Sequence, residues 1–374
     1  MNKKLSVISL FFMSIISIMY LTFKPKNELY EAKWNAPDTT LAITIDGEIS
    51  TTFPTTAAYE TSVECTSETG KVEWNGSKWI LTTNNISKGN TKCNITFKPY
   101  FGATILTKNT VTTPITTPGK AISTSSEALL ASTEDDYGTS YYFRGKVKNN
   151  YVQFANKCWR IVRITGNGSV KLVLHNDNTS GANNPCSSSN NSSSAAFAHY
   201  DGDTYKSTFN SSDGDNAYIG FMYGTTGSSN YASTHANINK STILTNLETW
   251  YTNNLASYED KLADTIWCND KSTITTLSSG STYGTGLGYG TNDTGYGAYN
   301  RISGGGAASY ANPSLICPND NNGGKLSKFT VSDTTNGNGK LTYKVGLLTA
   351  DEIVFAGMSG TDIYNCTTIL KWKC

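Results

Sequence analysis

The sequence predicts a β-rich α+β protein in which a small disulfide-stapled all-β module precedes a larger α+β domain. Short stretches of alternating apolar and polar residues recur along the chain, and Asp-Gly, Asn-Gly and Gly-Asn-Gly turns separate them. Few stretches show helical periodicity. Charged residues make up 16% of the 374 residues, well below the usual quarter, and Gly, Asn, Ser and Thr take their place. This composition is typical of an exported surface protein.

The N-terminal residues 1–26 resemble a membrane-targeting segment. An uncharged run of about 19 residues, Leu5–Phe23, lies between Asn2-Lys3-Lys4 and the basic residues Lys24 and Lys26. The run ends without the small residues of a signal-peptidase site. The sequence therefore favours an uncleaved membrane anchor over a cleaved signal peptide, with the polar remainder of the chain outside the cell.

Cysteine spacing indicates disulfides rather than a zinc or redox site. The eight cysteines contain no Cys-x-x-Cys, and the chain has only three histidines. In an exported protein we expect pairing, although eight cysteines allow about 105 connectivities. We predict pairs in sequence order, Cys65 with Cys93, Cys158 with Cys186, Cys268 with Cys317, and Cys366 with Cys374.

Residues 39–100 predict the small all-β module. The stretch TLAITIDGEI alternates apolar and polar residues, and KWILTTNNI and KCNITFKP supply later strands. Apolar residues such as Trp79 and Phe97 are too few for a stable core on their own. We therefore expect the Cys65–Cys93 disulfide to staple a small sandwich, by about 3 to 4 kcal/mol in the chain-entropy model.

Residues 101–136 are rich in Thr, Ser and Pro and sustain no period of two or 3.6 residues. This composition predicts an extended stalk. It would hold the following domain, residues 137–374, away from the membrane.

The domain at 137–374 begins with three or four strands, among which the hairpin at residues 157–176 is the most apolar. Strand alternation places Trp159 and Ile161 on one face and Val162 and Ile164 on the other, which predicts a central hairpin covered on both sides. Arg160 and Arg163 fall on opposite faces by the same rule. We therefore expect each to serve the scaffold, by pairing an acid or capping a sheet edge.

Helices are predicted in the second half of this domain. Apolar residues recur at helical spacing after Ser241 or Thr242, and a short second helix is expected through Tyr258, Leu262 and Ile266. Near the end, KLTYKVGLLTADEIVFAG predicts a strand followed by a helix, with Thr349 and Glu352 forming a capping box. Polar and Gly/Tyr-rich loops fill residues 177–239 and 280–308.

Four stretches carry a resemblance to a known group: NNYVQFANKCWRIVRITGNGSVKLVLHN, LETWYTNNLASYEDKLADTIWCND, LICPND and YKVGLLTADEIVFAG. They resemble paralogous, uncharacterised surface proteins of low-GC, gut-type bacteria. The last domain of that group is similar to the C-type-lectin-like fold of sulfatase-modifying-factor and major-paralogous-domain proteins. The likeness covers about residues 40–100 and 140–357. Such domains continue with two further strands that the residues after 357 do not match, so the resemblance implies a truncated domain.

Oxygen-rich loops offer weak candidates for calcium, at Asp201, Asp203, Asp213 and Asp215. None has EF-hand spacing, and Asp-Gly is an ordinary turn sequence. The stretch Trp267-Cys-Asn-Asp270 resembles a calcium-ligating motif of sugar-binding lectins, but Cys268 interrupts it. No cofactor is expected, with calcium the one alternative left open.

The sequence shows no catalytic motif, because the three histidines lie near no nucleophile motif. We expect these histidines in loops or at the surface. Tyrosines among Gly, Ser and Asn are abundant instead, a combination that provides rigid contact area at small entropic cost. The predicted ligand-binding residues are Tyr205, Tyr218, Tyr223, Tyr283, Tyr289 and Tyr296. The alternative, that these rings cover the edges of their own domain, stays open.

These observations predict an extracellular, membrane-anchored binding or adhesion protein with a glycan or protein ligand. The contacting loops would lie at about 177–237 and 276–315. A net charge of +1 gives no reason to expect nucleic acid as a partner. A divergent enzyme on the same fold, a structural envelope or pilus component, and a decayed paralogue are the alternatives.

Overall fold

The structure, a computed structural model, divides the chain into two compact units, residues 1–104 and 105–374. Among the described residues, strand accounts for 34% and helix for 19%, which confirms the predicted β-rich α+β class. The described residues are 32–33, 40–66, 69–83, 92–120, 127–189, 207–211, 216–218, 220–272, 297–303, 312–318, 328–332 and 341–358.

Up to Pro99, the regular elements in the described part of the first unit are all β-strands. Its strands are β1 (Ala32–Lys33), β2 (Thr40–Ile45), β3 (Glu48–Ser50), β4 (Tyr59–Cys65), β5 (Gly70–Trp74), β6 (Trp79–Thr83) and β7 (Lys92–Pro99). Strands β1, β2, β7 and β4 form a sheet in that order, β3 pairs with β2, and β5 and β6 form a separate hairpin. Strands β2 and β7 run parallel, and the other pairs are antiparallel.

The core of this unit lies between the hairpin and the sheet. Val72 and Trp79 of the hairpin join Ile95 and Phe97 of β7 in one buried cluster. The rings of Trp79 and Phe97 meet edge to face, with centroids 5.2 Å apart. The predicted Cys65–Cys93 disulfide links the adjacent strands β4 and β7.

The predicted stalk, residues 101–136, contains regular structure, so the expectation of an extended spacer throughout is wrong. Helix α1 (Phe101–Lys108) spans the boundary between the units, and β8 (Ala128–Asp135) is a full strand of the second unit. Leu130 and Ala131 are buried because β8 pairs along its whole length with the next strand. The Thr/Ser-rich flanks of this short apolar stretch obscured it in the sequence.

The main sheet of the second unit consists of β8, β9 (Gly138–Gly145), β10 (Tyr151–Phe154), β11 (Lys157–Ile164) and β12 (Val170–Asn176). Strand β11 is central, because β12 pairs along one side and β10 and β9 share the other. Two apolar clusters contact it, one around Ile161 and Ile164 and the other around Trp159, and both include Val152 and Leu172. The prediction that β11 is central is confirmed, whereas apolar cover on both of its faces stays a prediction, and β12 lies at an edge.

The predicted faces of β11 are partly wrong. Ile161 and Ile164 belong to the same buried cluster, although simple alternation separates them. The register of β11 against β12 shifts between Ile161 and Arg163. Such an irregularity adds a residue to one strand and inverts the alternation beyond it.

The rest of the second unit consists of short elements. They are a 3₁₀ turn (Asn216–Tyr218), β13 (Met222–Tyr223), α2 (Tyr231–Thr234), β14 (Asn239–Lys240), α3 (Thr242–Asn254), a 3₁₀ helix (Ala256–Lys261), β15 (Trp267–Cys268), α4 (Gly297–Ser303), β16 (Lys328–Phe329) and α5 (Ala350–Phe355). Strand β13 pairs with β14, and β15 pairs with β16. Among the described residues, no helix is long and apolar enough to cross a membrane, and the predicted anchor at residues 1–26 lies outside them.

The two predicted helix starts are confirmed. Ser241 caps α3 by accepting a hydrogen bond from the backbone N–H of Leu244, and Thr349 and Glu352 form the capping box of α5. The second short helix is a 3₁₀ helix that ends at Lys261, so its predicted continuation through Leu262 and Ile266 is wrong, because the backbone at Leu262 is extended. The strand predicted before α5 is absent from the described residues 341–349, where the chain turns locally as the N–H of Val345 donates to the carbonyl of Tyr343.

Candidate functional site

Two of the predicted ligand-binding tyrosines, Tyr218 and Tyr223, lie within the described part of the chain. The others, and all the predicted calcium-binding residues, lie outside it: Tyr205, Tyr283, Tyr289, Tyr296, Asp201, Asp203, Asp213 and Asp215. Calcium binding therefore stays a prediction.

Tyr218 and Tyr223 form an aromatic pair, which we name the tyrosine pair. Their ring centroids are 5.0 Å apart, with the rings inclined at 36°. Tyr218 ends the 3₁₀ turn at residues 216–218, and Tyr223 lies on β13. Both side chains are half-buried, so each presents part of its surface to solvent. The structure thus brings together two residues that the sequence singled out independently.

The tyrosine pair is mounted on a rigid support. Phe221 and Met222, which separate the two tyrosines, are buried in a cluster with Leu244 of α3 and Phe329 of β16. The carbonyl of Phe221 accepts a hydrogen bond of 2.8 Å from the N–H of Ser241, the cap of α3. Because Phe221 and Met222 are held in the core, the support for the two rings is in place without a ligand.

Next to the tyrosine pair, the backbone of Gly224 packs closely against residues 233 and 234, which the lack of a side chain allows. The N–H of Gly224 donates to the carbonyl of Thr234, and a Cβ at Gly224 would lie 1.9 Å from the carbonyl oxygen of Ser233. Ile238 donates its N–H to the carbonyl of Tyr223 and is itself 64% exposed. An exposed apolar residue therefore flanks the strand that carries Tyr223.

A buried charge network, formed by Asp135, Arg163, Lys171 and Glu352, supports the second unit. Arg163 donates to Glu352 at 2.9 Å and to Asp135 at 2.5 Å, while Lys171 Nζ lies 2.7 Å from both Glu352 oxygens. The Lys171 ammonium also faces the ring of Trp267, 4.5 Å from its centroid. These contacts join β8, β11 and β12 to helix α5.

Burial and neighbouring charges act against each other in this network. Burial opposes ionisation of Glu352, but the positive charges of Lys171 and Arg163 prevail and lower its pKa to about 2. For Lys171, burial prevails over the attraction of Glu352, and repulsion from Arg163 adds to it, so its pKa is lowered. Glu352 is thus an anion across the physiological range, and it satisfies two cations rather than acting as a proton donor.

Two further arginines hold the same short helix. Arg301 of α4 binds Asp351 through two hydrogen bonds of 2.8 Å and reaches Asp270 at 2.6 Å. Arg144 of β9 donates to the carbonyls of Val354 and Phe355, at the end of α5, and forms a buried ion pair with Glu127. Both ends of α5 are therefore fixed by charged side chains from distant segments, as helix termini require.

The arrangement around α5 is structural rather than catalytic. Each carboxylate described there contacts a cation, and Arg163 pairs acids as predicted. Arg160 donates instead to the carbonyl of Val147, and its guanidinium lies 5.2 Å from the ring centroid of Tyr151. Sequence reasoning missed the roles of Arg144 and Arg301, because their partners are distant along the chain and no local pattern announces them.

Histidines are more deeply placed than predicted. His175 lies in β12 and is buried, so the expectation of a loop or surface position is wrong for it. His235 lies in the turn after α2, as the expectation allows, but it is buried. His235 packs against Tyr231, with ring centroids 4.1 Å apart. His199 lies outside the described residues.

Three of the four predicted disulfides are confirmed, and Cys366 and Cys374 lie outside the described residues. Within the described residues, Asp136, Cys268 and Cys317 have the mutual distances of a metal site. Both sulfurs belong to the Cys268–Cys317 disulfide, so they do not offer thiolates to a metal. Asp270 of the Trp-Cys-Asn-Asp stretch pairs with Arg301, so its carboxylate serves an internal contact.

Comparison with known proteins gives no match: no protein-family model fits the chain, and neither a curated protein nor a solved structure is significantly similar to it. The function must therefore be argued from the residues themselves.

Proposed function

We propose that the protein is an extracellular binding or adhesion protein, anchored to the cytoplasmic membrane by its N-terminal segment, whose second unit contacts a glycan or protein ligand. The observation that carries this proposal is the tyrosine pair on its rigid support. Partly exposed aromatic rings held in place before binding lose little entropy when a ligand arrives.

Three features of the second unit support a binding role. Its core is stiffened by two disulfides, Cys158–Cys186 and Cys268–Cys317, and by the charge networks around α5. Segments rich in Gly, Ser, Asn and Tyr lie between these elements in the sequence. A rigid scaffold that displays variable loops is a common design of binding proteins.

The proposed architecture is that of the paralogous surface proteins that the chain resembles. An uncleaved anchor at residues 1–26 precedes the β module, and the second unit adopts a C-type-lectin-like fold. On this proposal the tyrosine pair contributes one part of the ligand-contacting surface, and the loop tyrosines Tyr205, Tyr283, Tyr289 and Tyr296 contribute the rest.

The test is a binding screen of the full chain, purified in detergent, against glycan and host-protein arrays. A free-thiol count made with and without reductant first establishes that the disulfides are closed. We expect a ligand whose affinity falls at least tenfold when Tyr218 and Tyr223 are both changed to Ala, because buried aromatic anchors dominate such interfaces.

Matched variants separate the site from a general effect. Tyr100→Ala removes an exposed tyrosine, 46% accessible, from the first unit and should leave binding unchanged. Changing Tyr218 and Tyr223 to Phe keeps both rings and should retain most of the affinity. A folded chain that binds nothing would count against the function, whereas unchanged binding by the double Ala variant would count against this site.

A further inference from the structure

A second buried polar cluster lies beside the strand that carries Tyr223. It consists of His235, Asn237, Asn269 and Lys271, and we name it the Lys271 cluster. Lys271 is 2% exposed and Asn237 is 5% exposed, and the other two are buried as well. A lysine is rarely buried this deeply, so its contacts call for an explanation.

The amine of Lys271 lies against the side-chain amide of Asn237. Its Nζ donates to Oδ1 of Asn237 and, at 3.2 Å, to the backbone carbonyl of His235. Nδ2 of Asn269 donates to the same Oδ1 of Asn237 at 3.1 Å. An amine nucleophile and a carboxamide are therefore in contact, and a separate N–H donor is aimed at the carboxamide oxygen.

The surrounding backbone holds these groups in position. Asn269 is fixed from its other end, because its Oδ1 accepts a hydrogen bond from the N–H of Phe221. Gly220 has a φ of 82°, and a Cβ there would lie 2.2 Å from Oδ1 of Asn269 and 3.2 Å from Cγ of Lys271. Gly220 therefore packs directly against Asn269 and Lys271, and Lys271 is 2% exposed to solvent. Exclusion of water favours the neutral form of an amine, which is the nucleophilic form.

We propose that Lys271 and Asn237 become joined by an intramolecular amide bond between their side chains. Nζ of Lys271 attacks Cγ of Asn237, and the negative charge that develops on Oδ1 is met by the N–H of Asn269. The bond between Cγ and Nδ2 of Asn237 then breaks. Nδ2 takes the proton that Nζ gives up and departs as ammonia. An amine and a carboxamide yield a secondary amide and ammonia, with no oxidant or other co-reactant.

The cross-link would close a loop across a sequence separation of 34 residues that contains all of α3. It lies three residues from the Cys268–Cys317 disulfide, since Lys271 follows Cys268 by that distance. Unlike the disulfide, an amide bond survives reduction. The segment from residue 237 to residue 271, which contains α3, would therefore stay closed in reducing surroundings.

Mass spectrometry of the full-length chain tests the proposal directly. We expect the fully reduced protein to be lighter by one ammonia than its sequence requires, because reduction opens the disulfides but not the amide bond. After reduction and trypsin digestion, a branched peptide with two N-termini should join the segments that contain Asn237 and Lys271. If both residues are found in linear peptides, the proposal is overturned. A loss of ammonia without a branched peptide overturns it as well, because an asparagine succinimide gives that result.

Two variants complete the experiment. Lys271→Arg keeps a cation in the cluster but cannot form the bond, so it should restore the full mass and a linear Asn237 peptide. Lys240→Arg changes a surface lysine that pairs with Glu248 and should leave the branched peptide unchanged. If the Lys271→Arg chain keeps the mass deficit, the assignment to Lys271 is wrong. The wild-type digest decides the proposal even where a variant fails to fold.

Discussion

Replacing Glu352 by Gln removes one negative charge from the buried charge network while keeping the size of the side chain. Glutamine also serves at the third position of a capping box, so the start of α5 is preserved. The variant therefore isolates the ion pairs of Glu352 with Arg163 and Lys171 from its role in the cap.

The expected cost is about 3 kcal/mol. Removing one partner of a buried ion pair costs about 3 to 5 kcal/mol, because the other charge is left uncompensated. Arg163 retains Asp135 at 2.5 Å, which places the loss near the lower limit. The lowering of the Glu352 pKa from 4.5 to about 2 is worth about 3 kcal/mol at roughly 1.4 kcal/mol per unit of pKa.

Urea unfolding at neutral pH, followed by tryptophan fluorescence, measures this loss in free energy of unfolding. Trp267 reports on the network directly, because its ring lies 4.5 Å from Lys171 Nζ. Thr349→Val serves as the control, since it removes the side-chain cap but keeps the charge of Glu352, and it should cost only about 1 kcal/mol.

A double variant completes the test. Adding Lys171→Met to Glu352→Gln removes the stranded cation and should recover part of the lost stability. A cost below about 1 kcal/mol for Glu352→Gln, or no recovery in the double variant, would refute the conclusion that the network stabilises the second unit.

Three further predictions concern the second unit. The pKa of Glu352 is lower in the folded chain than in the unfolded one, so its contribution to the free energy of unfolding is complete above pH 4.5 and is lost as the pH falls towards about 2. The stability of Glu352→Gln should therefore not show this loss in an acid titration. Cys268→Ser should cost about 4 kcal/mol in the chain-entropy model, measured by urea unfolding, and an unchanged midpoint would contradict a structural disulfide. Gly224→Ala should cost more than about 2 kcal/mol, because the new Cβ overlaps the backbone of Ser233. Gly168→Ala should cost only about 1 kcal/mol, because Gly168 has a φ of 84° but open space around it. Equal thermal shifts for the two glycine variants would contradict this difference.

Local patterns predicted the local structure well. The helix start at Ser241, the capping box at Thr349 and three disulfides follow from residue types at short spacing, and all are confirmed. The same rules failed at β11, where a register irregularity places Ile161 and Ile164 in one cluster. Alternation assumes an unbroken ladder, and no signal in the sequence marks the position of the break.

Long-range electrostatics could not be predicted at all. The side chain of Glu352 binds Arg163 across 189 residues and Lys171 across 181 residues, and no local spacing relates them. The sequence predicted Tyr218 and Tyr223 individually, as two of six ligand-binding tyrosines. Their contact could not be predicted, because it depends on the core around Phe221. That core assembles from segments as distant as residues 209 and 341.

The position of α5 in the chain has a consequence for the order of synthesis. Arg144, Arg163 and Lys171 leave the ribosome long before Asp351, Glu352 and the carbonyls that end the helix. Until residue 355 is made, Lys171 lacks the Glu352 carboxylate, and Arg163 and Arg144 are paired by Asp135 and Glu127 alone, so a nascent second unit gains less by burying these cations early. The charge pairing around α5 is therefore completed only after the last turn of that helix has been synthesised.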